Sequence, residues 1–463
     1  MVAPGADEGR APWVAAGLAA LLGALTFLNP LVAAVALGVL MLALVVFRWP
    51  VVGVWLILGC VYLFNLGFRY NNPVKIVDEF TPIVVIPIVF LTMLLLMKHF
   101  GGHDRVAAAR EGRITYEWFP RIFFWVFALI SLSWSLDPKH GFQDVYLIAA
   151  FYMILWSVPR ALDTPRKIDV LLHAYPFVAI PLGIMLLLSK EYFDFIVQEP
   201  IYGSLNLVFL LHTIGDGTKL RLGGYAPVNI AANVINGFLF VNLYIAYRSG
   251  KFVRAMLGVH SLFLLYCLLK TGSKAGIVSL ALGGMFLLVA VPEFRARVLR
   301  ITGIGVMLGS LVLVVAGQLI IKRFSGMFSG KDSFVYDRLI WWSEGMRNWL
   351  DTYGRGLGAG GFPILIDPVP AAHSFYLSAF FEYGVIGFGA FILFLGLLLL
   401  KVYRMMPSVK RPDMRFAVYC LGATLVSILS HGLLDFEYAF MPLWFAFAIL
   451  LSIGRVSERQ SAA

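Results

Sequence analysis

Apolar runs long enough to cross a bilayer recur from one end of this chain to the other, and no other feature restricts its folding as strongly. A hydrocarbon core about 30 Å thick takes about 20 apolar helical residues. Runs of this kind fall at 12–29, 31–47, 51–68, 82–97, 119–134, 143–158, 168–188, 226–247, 252–269, 275–291, 301–320, 374–400, 416–433 and 437–454. Each is closed by charge, Pro or Gly. Inside lipid every backbone N–H and C=O must find its partner within the protein, so only helices and closed barrels cross. The alternating ten-residue segments of a barrel are absent. The expectation is an all-α, polytopic transmembrane helical bundle of about 12–14 spans, forming one integral membrane domain over residues 1–463.

Charge sets the orientation. Alternate loops carry Arg48; Lys98, Arg105, Arg110 and Arg113; Arg160, Arg166 and Lys167; Arg248, Lys251 and Arg254; Arg295, Arg297 and Arg300; Lys401, Arg404, Lys410, Arg411 and Arg415; and finally Arg455 and Arg459. Basic loops stay in the cytoplasm, which predicts that both termini are cytoplasmic. The same pattern accounts for the net charge of +11. A nucleic-acid binder would instead gather its Lys and Arg on one folded face. Cys60, Cys267 and Cys420 fall in apolar runs and read as small core residues, with no disulfide or metal spacing. The N-terminal MVAPGADEGR is mixed in sign and is not read as a cleavable signal.

Two loops on the opposite, periplasmic face are long. The first, 189–225, contains the apolar but short segment Ser204 to His212, read as interfacial or re-entrant. The second, 321–373, is expected to hold one amphipathic helix around Asp337 to Leu350, followed by a Gly-rich turn region. Ordered loops of such length are usually functional.

The motifs that are missing narrow the chemistry. The chain has no Walker loop, no Asp-x-Asp pair and no His-Glu-x-x-His. Gly356–Gly361, GLGAGG, matches a dinucleotide fingerprint in letters but follows no strand, and reads as flexible or tightly turned backbone. His99 and His103 are separated by FGG and read as loop residues rather than a helical metal pair. His260 lies inside a span and reads as a satisfied core residue, while His140, His173, His212 and His431 lie near span ends. No metal or cofactor is expected.

His373 stands just ahead of the run that starts at Ser374, on the face that also carries Arg221, Asp337 and Arg338. A neutral imidazole can take a proton from a hydroxyl, and guanidinium groups match phosphate oxygens with paired hydrogen bonds. The plainer alternatives are a polar anchor for His373, a snorkelling anchor for Arg221, and an ion pair with Asp337 or Glu344 for Arg338. Lys274, at a span edge on the same face, is either a third phosphate contact or a boundary charge. Glu382, nine residues past His373, would point to the opposite face of a continuous helix, where it supports Tyr383 and Gly384 or a neighbouring helix.

Taken together, these segments resemble the O-antigen ligase and O-antigen polymerase superfamily of bacterial polytopic membrane glycosyltransferases. The resemblance rests on His373, Ser374, Leu377, Glu382, Gly384 and Gly387 as a His-(Asn or relative)-x-x-Leu, Glu-x-Gly-x-x-Gly pattern. It extends to Arg338 with Trp342, to GRGLGAGG, and to the RLGGYAPVN segment from Arg221, roughly the second half of the chain. It implies transfer of a whole glycan from undecaprenyl pyrophosphate to an acceptor hydroxyl, without metal, at the periplasmic face of the bacterial inner membrane. The acceptor would be lipid A core or a growing polysaccharide. His373 would be the base, with Arg221 and Arg338 on the pyrophosphate; Ser374 departs from the common Asn. The competing reading is a transporter or flippase of lipid-linked oligosaccharide. It calls for ionisable groups at span centres, whereas nearly all the charges fall at span ends.

Overall fold

The computed structural model describes residues 30–61, 82–101, 118–188, 228–291, 333–362, 372–434 and 441–462. Among them the secondary structure is helical, with no strand. The helices are α1 (Pro30–Arg48), α2 (Pro50–Gly59), α3 (Pro82–Gly101), α4 (Trp118–Ser131), α5 (Pro138–Ala161), α6 (Pro165–Leu188) and α7 (Val228–Arg248). They continue with α8 (Lys251–Thr271), α9 (Lys274–Ala290), α10 (Ser333–Asp351), α11 (Phe375–Met405), α12 (Pro412–His431) and α13 (Met441–Ala462). Seven stretches, in α5 to α8 and α11 to α13, are long and apolar enough to cross a membrane, and five shorter apolar helices lie among them. The protein is thus an all-α, multi-pass membrane bundle. Predicted spans 12–29 and 301–320, and the loop 189–225, lie outside the described residues. The other predicted spans each coincide with a helix, although the second half of 51–68 is not described.

Local chemistry sets the helix ends. Prolines 30, 50, 82, 138, 165 and 412 open their helices, where a missing N–H costs nothing and φ is already helical. Between α8 and α9 the chain reverses within TGS. Gly272 takes a left-handed φ of 63° as the cap of α8, and Ser273 caps α9 by accepting the Gly276 N–H at 3.0 Å. Inside α5 and α6 lie Pro159, Pro176 and Pro181, which neighbouring helices tolerate in membrane proteins.

In lipid, close helix contact depends on small residues and polar links. Both occur where α7, α9 and α12 meet. A Cβ on Gly276 would fall 2.5 Å from the Ala232 Cβ, and one on Gly283 2.7 Å from the Ala423 carbonyl. Asn236 donates to the Gly276 carbonyl at 2.8 Å and to Ser279 Oγ at 3.0 Å, and reaches Ser427 Oγ at 3.2 Å. His260 is hydrogen-bonded to Asn242 at 3.0 Å, and the thiols of Cys267 and Cys420 are buried with Cys60 half-buried, as expected for core residues.

Candidate functional site

The site is built where α10 docks on the start of α11. Trp349 stacks on Phe380 with centroids 4.6 Å apart, and Phe362 stacks on Phe381 at 5.5 Å. A Cβ on Gly345 would fall 2.8 Å from the Phe381 ring, so this glycine is what lets α10 approach. The amphipathic helix expected around Asp337 to Leu350 is α10, somewhat longer at its N-terminus.

His373 lies one residue ahead of the α11 N-cap, Ser374, whose hydroxyl accepts the Leu377 N–H at 3.4 Å. It is half-buried, and its backbone takes φ +48°. For a residue with a Cβ this left-handed conformation costs about 1–2 kcal/mol, so the surroundings must impose it. Two contacts do so. The imidazole stacks on Trp341 at 5.4 Å, and the Trp342 indole N–H donates to the Ala372 carbonyl at 2.7 Å. Arg338, half-buried, sits one turn earlier on the same helix as these tryptophans, with Asp337 beside it in sequence.

The end of α12 joins this assembly. Its last carbonyls would be orphaned by helix geometry. The Gly432 carbonyl accepts the Phe375 N–H at 2.8 Å and the Leu429 carbonyl accepts the Tyr376 hydroxyl at 3.2 Å. His431 is thereby buried beside the start of α11. Lys274 begins α9, and α9 packs along α12 with Gly276 and Ser427 both on Asn236. Half a turn outward from that link, Lys274 lies at the same end of the bundle as His431 and His373.

The Gly-rich segment is tightly turned. Gly354, Gly356, Gly358 and Gly360 all have positive φ. The Leu357 and Gly358 N–H groups donate to the Phe381 and Glu382 carbonyls, both at 2.9 Å, and the Gly354 carbonyl accepts the Val385 N–H at 3.1 Å. These bonds take the place of helical ones where α11 breaks at Gly384, φ 61° and ψ −167°. The other side of the segment is held by Ser131 and Ser135, at 3.1 and 2.6 Å from Ala359. Glu382 is buried at the break. Tyr383 beside it packs edge-on against Phe124 at 5.2 Å.

The structure brings His373, Ser374, Arg338 and Lys274 to one end of the bundle and Glu382 beneath them. Arg221 lies outside the described residues. Sequence reasoning missed three neighbours. Trp341 had only its spacing of three from Arg338 to mark it. His431 gave no signal. Asn233, fully buried with neither amide atom hydrogen-bonded among the described residues, was legible as the member three residues before Asn236. Among the described residues Arg121, like Glu382, is a buried ionisable group away from the bundle ends: it is only 4% exposed and lies 5.0 Å over the Phe394 ring, roughly three turns short of the Met405 end of α11. Among the described residues no three His, Cys, Asp or Glu side chains gather as metal ligands would. No family model matches the chain, and no curated protein matches its sequence.

Proposed function

We propose that this protein is a membrane glycosyltransferase that moves a glycan en bloc from undecaprenyl pyrophosphate to an acceptor hydroxyl, on the periplasmic side of a bacterial inner membrane. The carrying observation is His373, held left-handed and half-buried against Trp341 on the helix that presents Arg338. Backbone strain kept in place by specific packing is a mark of functional positions.

In the proposed reaction the neutral His373 imidazole takes the acceptor hydroxyl proton. The alcohol oxygen forms a bond to the anomeric carbon as the bond from that carbon to the pyrophosphate oxygen breaks. Undecaprenyl pyrophosphate leaves with one more negative charge. Arg338 and Lys274, with Arg221 from the preceding segment, would hold that charge; each charge-assisted hydrogen bond contributes roughly 1.5–3 kcal/mol. Ser374 and Glu382 support the turn and the helix behind the base. The acceptor in this reading is lipid A core or a growing polysaccharide.

A flippase for the same lipid-linked glycan is the second reading, and Arg121 is the observation in its favour. The test is reconstitution of the purified chain with donor and acceptor on one face of the membrane. Transfer product is expected there, as a single addition to core lipid or as a ladder of repeats. Donor crossing the bilayer with no product formed would overturn the proposal in favour of the flippase.

A further inference from the structure

A cavity of about 710 Å³ opens beside the α11 break. Its polar rim is Asp351, Tyr353 and Arg355, its back is Trp134, and its wall is Val385 and Ile386. The wall faces outward: both side chains are exposed on an apolar membrane-crossing helix. The rim carries opposite charges that do not neutralise each other. Among the described residues neither the Asp351 carboxylate nor the Arg355 guanidinium makes an ion pair, and Arg355 is held 5.1 Å over the Trp134 ring. The Trp134 indole N–H likewise has no acceptor among the described residues. Tyr353 is 99% exposed and held at φ +54°.

We infer that this cavity binds the headgroup of a zwitterionic glycerophospholipid of the phosphatidylethanolamine type. A guanidinium matches the phosphate oxygens. The ammonium falls to Asp351, the last residue of α10, at the negative end of the helix dipole. The acyl chains continue over Val385 and Ile386, and Tyr353 and Trp134 are of the residue types that gather at membrane interfaces. A sugar would meet the same rim but would lay its hydroxyls against an apolar wall. The comparable cavity near Asp169 and His173 lacks the free charge, because Arg248 and Tyr244 already engage that carboxylate. This inference stands apart from glycan transfer and holds or fails without it.

The test is native mass spectrometry of the full chain, delipidated in detergent and titrated with phosphatidylethanolamine, phosphatidylglycerol or a short neutral oligosaccharide. Phosphatidylethanolamine should be retained roughly tenfold better than phosphatidylglycerol, the scale of one charge-assisted contact. Asp351→Asn should erase that preference, Arg355→Ala should weaken both lipids, and Lys251→Ala at the other end should change neither. Equal retention of the two lipids by the unaltered chain, indifference to both rim substitutions, or displacement of lipid by the oligosaccharide would each overturn the inference.

Discussion

The two ends of the bundle handle polar groups in opposite ways. At the basic end, a cluster of charges is tied to partners. Arg248 pairs with Asp169 and lies 3.7 Å from Asp413, which Arg411 also holds at 2.7 Å. Tyr244 donates to Asp169 at 3.0 Å, Arg455 caps the Pro159 carbonyl at 3.2 Å, and Lys98 donates to Phe47. At the other end lie both of the non-glycine residues with positive φ among those described, His373 and Tyr353, together with the broken helix and the uncommitted rim charges. Side chains already satisfied by one another have little left for a ligand. The basic end is built to anchor, and the opposite end stores the strain and open bonding capacity that binding can use.

The sharpest way to break this contrast is to remove one histidine from each end. His373→Gly retains a residue at ease in the left-handed turn and deletes only the imidazole. Transfer activity should fall by about 10²–10⁴-fold, the range for a lost general base, with thermal stability unchanged. His173→Ala, at the basic end, should leave activity as it was. If the glycine variant retained activity, the left-handed turn would matter and the base would not. Arg338→Ala comes next, with an expected loss of about 10–100-fold, corresponding to roughly 1.5–3 kcal/mol of charge-assisted bonding. The loss should appear with pyrophosphate-linked donor whatever the acceptor.

The histidine pair also marks how far the sequence could be read. Apolar length alone located the helices, because lipid leaves the backbone few alternatives. The amphipathic α10 followed from its pattern. Non-local geometry did not. Glu382 was placed relative to His373 by assuming one continuous helix, but α11 starts only at Phe375, and His373 takes its direction from Trp341 and the Gly432 junction. The Gly354–Gly361 segment was legible as turned backbone, while its partner, a helix break thirty residues on, is a tertiary fact. Asn233 and Asn236 were equally visible as letters, yet only packing separates the amide whose NH2 group is engaged from the one with neither amide atom engaged among the described residues.

That helix break gives a test of the His373 end that needs no substrate. A Cβ on Gly384 would lie 2.3 Å from the Gly354 carbonyl and 2.4 Å from that of Arg355, at a φ that L side chains resist. Gly384→Ala should therefore cost about 1–3 kcal/mol and lower the thermal midpoint of the purified chain. Gly389→Ala, five residues on with open space around it, is the matched control and should leave the midpoint unmoved. Equal behaviour of the two would mean that α11 runs straight past Gly384 and that the Gly-rich segment does not brace a break there.

The smallest effect is expected where the charges are already paired. Arg248→Ala would remove the partner of Asp169 and a neighbour of Asp413, but both sites keep other donors, Tyr244 and Arg411. The pair is also partly solvated, with Arg248 and Asp169 side chains 30% and 24% exposed, so water takes up much of the lost attraction. A destabilisation of about 1 kcal/mol or less should follow, diminishing further as salt rises because the groups can be screened. Transfer activity should be unaffected, since nothing at this end touches His373. A fall in activity at unchanged stability would instead mean that the basic end communicates with the site through α7 and α12, the helices that share Asn236, and the division of labour between the two ends would have to be withdrawn.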